Sequence, residues 1–254
     1  MIRPDPAEPP IRALPSPNWD ARPPGTPIDM LILHYTGMPT AQAALDRLRD
    51  SAARVSSHYV VEEDGTVWRL VEEQRRAWHA GVSYWRGHAT LNDRSVGIEI
   101  VNPGHEWGYR PFPALQMAAV CELCLGILGR HPIPARNVVG HSDVAPDRKE
   151  DPGELFDWPG LAANGVGLWP APSRDAGAVD DVLTALWAIG YGEGDLSTTL
   201  RAFQRHWLPD AISGQADDAT RTRLHAVAMA CARHHSAERA LGESGDLLYA
   251  QQEK

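Results

Sequence analysis

The sequence predicts an α/β fold in which a central mixed β-sheet is flanked by helices, with a small three-helix domain at the carboxyl end. Three observations lead to this fold class. A continuous apolar run at Ile28–Tyr35, bounded by proline and by Thr-Gly, is typical of a central strand buried on both faces. The turn dipeptide Asp64-Gly65 between two apolar runs predicts a β-hairpin. The periodic run Phe112–Arg130 predicts a long amphipathic helix.

The elements before the hairpin are an arm, a strand and a helix. Residues 1–25 contain eight prolines, which predict an extended arm without regular structure. After the first strand, apolar residues alternate with charges at helical spacing over Ala41–Arg54, and Thr40 is the expected N-cap. The hairpin strands are predicted at Ser57–Glu62 and Thr66–Val71.

Two further strands complete the predicted sheet. Ser95–Asn102 is the first, and its Glu99 lies between Ile98 and Ile100. An unpaired buried carboxylate is costly, so this glutamate needs a partner or a function. Arg136–His141 is the last strand, and it leads into a segment of thirteen residues, GHSDVAPDRKEDP, at positions 140–152.

The composition changes after residue 164, which predicts a second domain. We expect a catalytic domain at residues 26–164, a Gly- and Pro-rich linker at 165–177 and a helical domain at 178–233, followed by a polar tail at 234–254. Three amphipathic periods predict the helices of the second domain: Ala178–Ile189, Leu196–Trp207 and Asp218–Ala232.

The bulk composition narrows the class of protein. A formal net charge of −9 argues against a general nucleic-acid binder, which needs a basic face. The three cysteines do not form a disulfide framework, and Cys121 and Cys124 are expected to lie on one buried stripe of a helix. The first ten residues lack the apolar core that a secretory signal needs, and no apolar run in the sequence is long enough to span a membrane. We therefore expect a cytoplasmic protein, or a periplasmic one if the true start lies upstream.

Five chemically active side chains lie at or after predicted strand ends, where open α/β sheets bind ligands. Two histidines and one carboxylate are a common ligand set for catalytic zinc. Lys149 and Asp151 lie two residues apart, so in an extended run held by Pro152 they point the same way. The alternative is that each histidine caps its strand and that residues 140–152 form a charged surface loop. The five side chains are His34, Glu99, His141, Lys149 and Asp151.

Five segments together resemble a known family. They are LILHYTG, SSHYVVEEDGTVWRLV, RAWHAGVSYWRG, SVGIEIVN and GHSDVAPDRKEDPG, in the expected order over roughly residues 26–160. This pattern is similar to the zinc-dependent N-acetylmuramoyl-L-alanine amidases of the AmpD and AmiD type, relatives of phage T7 lysozyme and the peptidoglycan recognition proteins. The resemblance implies a monomeric hydrolase that cleaves the amide between N-acetylmuramic acid and L-alanine in peptidoglycan or muropeptides, in wall degradation or recycling.

The resemblance also implies roles for individual residues. One zinc ion would be held by His34, His141 and Asp151, with Glu99 and Lys149 as the catalytic pair. Substrate contacts are implied for four more residues, with packing or a surface hydrogen bond as the alternative for each: Arg76, Trp78, His79 and Asn92. His58 is expected to be a core histidine or to lie behind the metal ligands. The other charges of the segment 140–152 are expected to be turn-forming and solvated residues that hold His141, Lys149 and Asp151 in place: Asp143, Asp147, Arg148 and Glu150.

The C-terminal helices resemble, more weakly, a peptidoglycan-binding domain. The pattern is carried by Leu200–His206 (LRAFQRH), then Gly214, Asp217, Thr220 and Leu224. The usual Asp-Gly loop is degraded to Ile-Ser-Gly at residues 212–214, so a domain that only packs is the alternative.

Three rival functions fit the sequence less well. A non-catalytic peptidoglycan recognition module would lack a zinc ligand or the acid/base pair, and all five residues are present. A zinc peptidase would carry an HExxH helix, and a serine hydrolase a GxSxG elbow; neither motif occurs.

Overall fold

The structure is a computed structural model that describes residues 9–171 and 177–233. Residues 1–8 of the predicted arm, residues 172–176 of the predicted linker and the predicted tail at 234–254 lie outside the described residues. The strands are β1 (Ile11–Ala13), β2 (Trp19–Ala21), β3 (Met30–Tyr35), β4 (Tyr59–Val61), β5 (Val67–Arg69), β6 (Arg75–Ala77), β7 (Ser95–Ile100) and β8 (Val138–Gly140).

Helices cover the sheet and form the carboxyl end of the described chain. They are α1 (Ala41–Arg49), α2 (Gly104–Trp107), α3 (Ala114–Arg130), α4 (His141–Val144), α5 (Trp158–Ala163), α6 (Val182–Ile189), α7 (Leu196–Trp207) and α8 (218–233). Within the described residues, 9–171 and 177–233, no helix is both long and apolar enough to cross a lipid bilayer.

Six strands form one mixed sheet in the order β1-β5-β4-β7-β3-β8. β3 is parallel to its neighbours β7 and β8, and β4 is parallel to β7. β4 and β5 are the antiparallel strands of the predicted hairpin. The predicted fold class, a mixed central sheet flanked by helices, is confirmed.

The proline-rich arm contains two short strands, so the expectation that it has no regular structure was wrong. β1 adds to the sheet edge parallel to β5, and β2 pairs with β6. The prolines fall outside both three-residue strands, so they remove no ladder hydrogen bond. Arg22 fixes the end of the arm by donating hydrogen bonds to the carbonyl oxygens of Glu73, Asn92, Asp93 and Ser95.

Helix α1 begins where it was predicted and ends earlier. The Thr40 side chain accepts a hydrogen bond from the Ala43 N–H at 3.1 Å, as an N-cap does. The helix ends at Arg49 because the Asp50 carboxylate accepts a hydrogen bond from the Ala52 N–H at 2.9 Å and turns the chain.

The two faces of the sheet bury different helices. Leu31 and Leu33 of β3 belong to the cluster that contains α3, whose Cys124 is buried and whose cysteines are free thiols. Met30 and Ile32 point to the opposite face, where they share one hydrophobic cluster with α6, α7 and α8. The C-terminal helices therefore pack directly against the sheet that carries the candidate site.

Candidate metal centre

Three parallel strands bring the candidate residues to one edge of the sheet. His34 on β3 lies beside Glu99 on β7 in the strand register. β8 pairs with the other side of β3, and His141 is the first residue after β8. All three residues lie at carboxyl ends of adjacent parallel strands, the usual position of a ligand crevice in such sheets.

The donor atoms of His34, His141 and Asp151 form a nearly equilateral triangle. The two Nδ1 atoms are 2.9 Å apart, and Asp151 Oδ2 lies 3.0 Å from His34 Nδ1 and 3.1 Å from His141 Nδ1. All three side chains are buried, with at most 5% of each residue exposed. These three groups could together hold a metal ion.

A hydrogen-bond chain fixes which nitrogen of His34 faces this triangle. The Ser95 hydroxyl donates to the Leu91 carbonyl at 2.7 Å, so it accepts from His79 Nε2 at 3.1 Å. His79 Nδ1 then accepts from His34 Nε2 at 3.0 Å. His34 Nδ1 is therefore left without a proton, as a metal ligand must be.

His141 is oriented in the same way by the main chain. Its Nε2 donates to the Ala80 carbonyl at 3.1 Å, which leaves Nδ1 as an acceptor. The same carbonyl accepts a hydrogen bond from Arg148, which also donates to the Val82 carbonyl. Arg148 was expected to be a solvated turn residue that helps to hold the metal donors in place, and its exposed side chain joins the segment 140–152 to the Ala80 carbonyl that orients His141.

The electrostatics of the triangle favour a bound cation. Burial, together with His141, lowers the pKa of His34 to about 4, so its imidazole is neutral at neutral pH. Burial alone would raise the pKa of Asp151, but His141 and His34 hold it well below its usual range. Three lone pairs that face one another at about 3 Å repel each other unless a cation lies between them. Two imidazole nitrogens and one carboxylate oxygen are the donor set of a catalytic zinc site, so the residues fit this metal.

The segment 140–152 is closed into a tight loop that sets the triangle. The Ser142 N–H donates to the Asp151 carbonyl at 2.9 Å, which brings both ends of the segment together. A Cβ at Gly140 would lie 2.8 Å from Pro152 Cδ, so only glycine permits this approach.

Glu99 and Lys149 face the same cleft as the metal donors. This cleft, of about 580 Å³, is lined by Glu99, His141, Lys149 and Asp151 among others. The Glu99 Oε2 atom is buried and has no hydrogen-bond partner among the described residues. Burial, reinforced by the negative charge of Asp151, raises the pKa of Glu99 well above its ordinary value. A carboxyl group that readily takes up a proton thus lies beside the candidate metal.

Substrate contacts were expected for both Trp78 and Arg76, but only one of these two residues lines the cleft in the structure. Trp78 lines the cleft, and its indole N–H donates to Asp20 Oδ2 at 2.7 Å. Arg76 lies outside the cleft lining and forms ion pairs with Asp20 and Asp93. The guanidinium is thus paired with carboxylates of the protein, which favours the surface-contact alternative, and a substrate contact of Arg76 stays a prediction.

His79 and Asn92 hold the candidate metal centre in place through hydrogen bonds to other protein groups. Asn92 lies outside the cleft lining, and its Oδ1 accepts the N–H groups of His79 at 3.1 Å and Ala80 at 2.8 Å. His79 reaches the cleft wall, but both of its ring nitrogens are bonded to protein atoms. A Cβ at Gly97 would lie 2.5 Å from this ring, so the missing side chain of Gly97 makes room for His79. These contacts favour a positioning role for both residues, and substrate contact by His79 or Asn92 stays a prediction.

Two further histidines and one aspartate of this region lie in the core or in the cleft wall. His58 is fully buried and accepts the Gly97 N–H at Nδ1, so it is the expected core histidine. His105 lines the cleft, and its ring bonds the Tyr35 hydroxyl at 3.0 Å. Asp143 was expected to be solvated and is only 1% exposed. No sequence signal distinguishes Asp143 from its exposed neighbours, because two of its three hydrogen-bond partners lie far along the chain.

Comparison with known proteins places this geometry in a family. A family model described as N-acetylmuramoyl-L-alanine amidase matches residues 24–154. The chain is 38% identical over 229 residues to the N-acetylmuramoyl-L-alanine amidase AmiD of Escherichia coli K12, which covers 79% of this chain and 82% of that protein.

Two solved structures share the fold over most of both chains. The complex of E. coli AmiD with anhydro-N-acetylmuramic acid-L-Ala-D-gamma-Glu-L-Lys has a TM-score of 0.72 at 35% identity, covering 80% of this chain and 90% of that one. The Pseudomonas aeruginosa AmpDh3 complex with anhydromuramic pentapeptide has a TM-score of 0.72 at 31% identity, covering 84% of this chain and 96% of that one.

Proposed function

The chain belongs to the N-acetylmuramoyl-L-alanine amidase family, and from this premise we propose that it is a zinc-dependent hydrolase of the amide between N-acetylmuramic acid and L-alanine. The observation that carries the zinc assignment is the triangle of donor atoms, with sides of 2.9, 3.0 and 3.1 Å. His34, His141 and Asp151 hold the ion.

Each residue of the cleft has a separate part in the reaction. When bound, zinc polarises the scissile carbonyl and lowers the pKa of bound water from 15.7 toward roughly 7. Glu99 accepts the proton of the attacking water and returns it to the leaving amine of L-alanine. The unpartnered and buried Glu99 Oε2 supports this role, since no protein group within the described residues competes for the proton.

Lys149 stabilises the negative charge that develops on the carbonyl oxygen. Its ammonium lines the cleft two residues from Asp151 and has no salt bridge or hydrogen bond within the described residues. A cation already placed beside the reacting carbonyl requires no reorganisation during the reaction, and one such donor typically contributes about 2.7 to 4 kcal/mol.

We propose 1,6-anhydro-muropeptides as the substrate class. AmiD and AmpDh3 have been solved with anhydromuramic peptides, and this chain covers 90% or more of both structures. The cleft suits such a ligand because it combines aromatic walls with cations. Trp78 and the 54% exposed Trp107 can pack on the sugar, and Arg47 can pair with a peptide carboxylate.

The domain organisation proposed with this function follows the sequence. Residues 26–164 carry the chemistry, and residues 178–233 form a helical unit similar to peptidoglycan-binding domains. The match of the family model to residues 24–154 supports the first boundary. The motif residue Gln204 supports the second, because its amide bonds Thr220 Oγ1 at 2.9 Å and the Gly214 N–H at 2.7 Å within the helical unit.

Digestion of defined substrates tests the proposal. Zinc-loaded protein is incubated with soluble anhydro-muropeptides and, separately, with purified sacculi, and the products are identified by mass spectrometry. We expect free peptides that begin with L-alanine, released faster from the soluble substrate. Faster release from sacculi would contradict the substrate class, and new sugar reducing ends without free peptides would contradict the amidase activity.

A further inference from the structure

A buried carboxylate links the metal centre to the C-terminal helices. Asp143 lies two residues after the candidate ligand His141, in α4, and is 1% exposed. Its Oδ2 accepts the Gly140 N–H at 2.8 Å, which fixes the start of α4. Its other two hydrogen bonds come from the C-terminal helical unit. The Tyr191 hydroxyl donates to Oδ1 at 2.6 Å, and His206 Nδ1 donates to Oδ2 at 2.7 Å.

The His206 ring is held in one orientation by two tryptophans. It stacks on Trp158 of α5 with ring centroids 3.8 Å apart and on Trp207 with centroids 4.0 Å apart. Its Nε2 has no hydrogen-bond partner in the part of the chain that the structure describes. Among the described residues, the His206 ring therefore forms its hydrogen bond through Nδ1, which is bonded to Asp143.

Arg205, the neighbour of His206 on α7, reaches the other end of the same segment. Its Nη2 lies 3.0 Å from Glu150 Oε1, and its Nε lies 3.7 Å from Glu154 Oε2. The Arg205 side chain is 10% exposed and the Glu150 side chain 52% exposed, so the guanidinium is shielded from solvent while the carboxylate is not. Glu150 directly precedes Asp151, the carboxylate of the donor triangle.

From these contacts we propose that Tyr191, Arg205 and His206 are positioning residues for the metal centre. They hold the segment 140–152 at Asp143, two residues after His141, and at Glu150, directly before Asp151, and so maintain the spacing of the triangle. The C-terminal helical unit then contributes to metal affinity through its contacts with the segment 140–152. This contribution does not depend on whether the unit binds glycan. This inference rests on the proposed zinc site.

Variants that each delete one hydrogen bond distinguish a positioning role of these residues from a general contribution to stability. Tyr191→Phe deletes one buried hydroxyl that bonds the catalytic segment. Thr220→Val is its matched control, because it deletes one buried hydroxyl that bonds Gln204 inside the C-terminal unit. His206→Leu removes the Nδ1 donor, and His206→Asn restores an N–H donor at the equivalent δ position.

Zinc affinity is measured on the full chain by competition with a chelator, with the melting temperature of the metal-free protein recorded in parallel. We expect the dissociation constant for zinc to rise about tenfold in Tyr191→Phe and His206→Leu, the lower end of what outer contacts of a metal site contribute. We expect it to return to within about threefold of the unsubstituted value in His206→Asn, and to be unchanged in Thr220→Val.

Three results would overturn the inference. Unchanged zinc affinity in folded Tyr191→Phe and His206→Leu would reduce both residues to structural contacts. An equal loss of affinity in Thr220→Val would mean that general destabilisation, and not positioning, weakens the site. Absence of zinc binding by the unsubstituted chain would instead overturn the proposed metal centre, and this inference with it.

Discussion

At the scale of single residues, both histidines of the candidate metal centre are oriented by hydrogen bonds to other protein groups. His34 and His141 each use Nε2 to donate to a protein acceptor, which leaves both Nδ1 atoms facing Asp151. Sequence reasoning could name these residues because each histidine ends an apolar strand within a motif. It could not find the acceptors, His79 and the Ala80 carbonyl, because their roles depend on contacts between distant parts of the chain.

The catalytic pair is predicted to be separable from metal binding. Glu99→Gln conserves the shape of the side chain but removes the proton acceptor, so we expect kcat to fall by roughly 10² to 10⁴. Lys149→Ala removes the cation at the developing oxyanion, and we expect kcat to fall by roughly 10² to 10³. Release of L-alanyl peptides from anhydro-muropeptides measures both. A Glu99→Gln variant that keeps more than about a tenth of the activity would contradict the role of Glu99.

At the scale of secondary structure, apolar runs predicted the central strands β3 and β7 because these are buried on both faces whatever their neighbours are. The edge strands β1 and β2 could not be predicted in this way. Each has only three residues, of mixed character, and is a strand because a partner offers free backbone groups. The short α4 was not predicted either, because it has only four residues. Its capping contact, from the Gly140 N–H to the Asp143 carboxylate, lies within the loop.

A buried ion cluster joins the hairpin region to the end of α3. Glu73 accepts hydrogen bonds from Arg130 at 2.8 Å, His131 at 2.6 Å and Tyr59 at 2.7 Å. Burial alone would raise the pKa of Glu73, but these hydrogen bonds lower it from 4.5 to about 2. Because the folded pKa lies below the unfolded one, the stabilisation is complete above about pH 4.5 and is lost as the pH falls toward 2.

Glu73→Gln is therefore expected to lower the free energy of unfolding at pH 7 by about 2 kcal/mol, after allowance for the partly exposed Arg130. The difference from the unsubstituted chain should shrink as the pH falls toward 2, and urea unfolding across this range measures it. The control is Glu72→Gln, whose side chain is 58% exposed and which should change stability by less than about 0.5 kcal/mol. A constant difference between pH 7 and pH 2.5 would exclude the linkage.

At the scale of the whole molecule, the C-terminal helices and the sheet share a hydrophobic core. Phe203 of α7 and Leu224 of α8 belong to the same cluster as Ile32 of β3 and Val139 of β8. The amphipathic periods predicted these helices, but an apolar face does not specify what it packs against. For this reason a Gly- and Pro-rich stretch suggested a separate domain, while the contacts between the two parts could not be predicted.

The shared core predicts cooperative unfolding of the whole described chain. Separation would expose the apolar faces of both parts, so we expect one calorimetric transition in which the calorimetric and van't Hoff enthalpies agree. The chain shortened to residues 1–171 should lose this transition and bind a hydrophobic dye, because Met30, Ile32 and Val139 would face solvent. Two resolved transitions in the full chain would show instead that the helical unit folds independently.

The zinc content of three purified proteins tests the central claim most directly. The unsubstituted chain, Glu99→Gln and His141→Ala are dialysed against the same zinc buffer, and bound metal is measured by mass spectrometry. We predict about one zinc per chain in the first two and almost none in His141→Ala, because His141 is a member of the donor triangle and Glu99 is not. Stoichiometric zinc in folded His141→Ala would contradict the assignment of the metal centre.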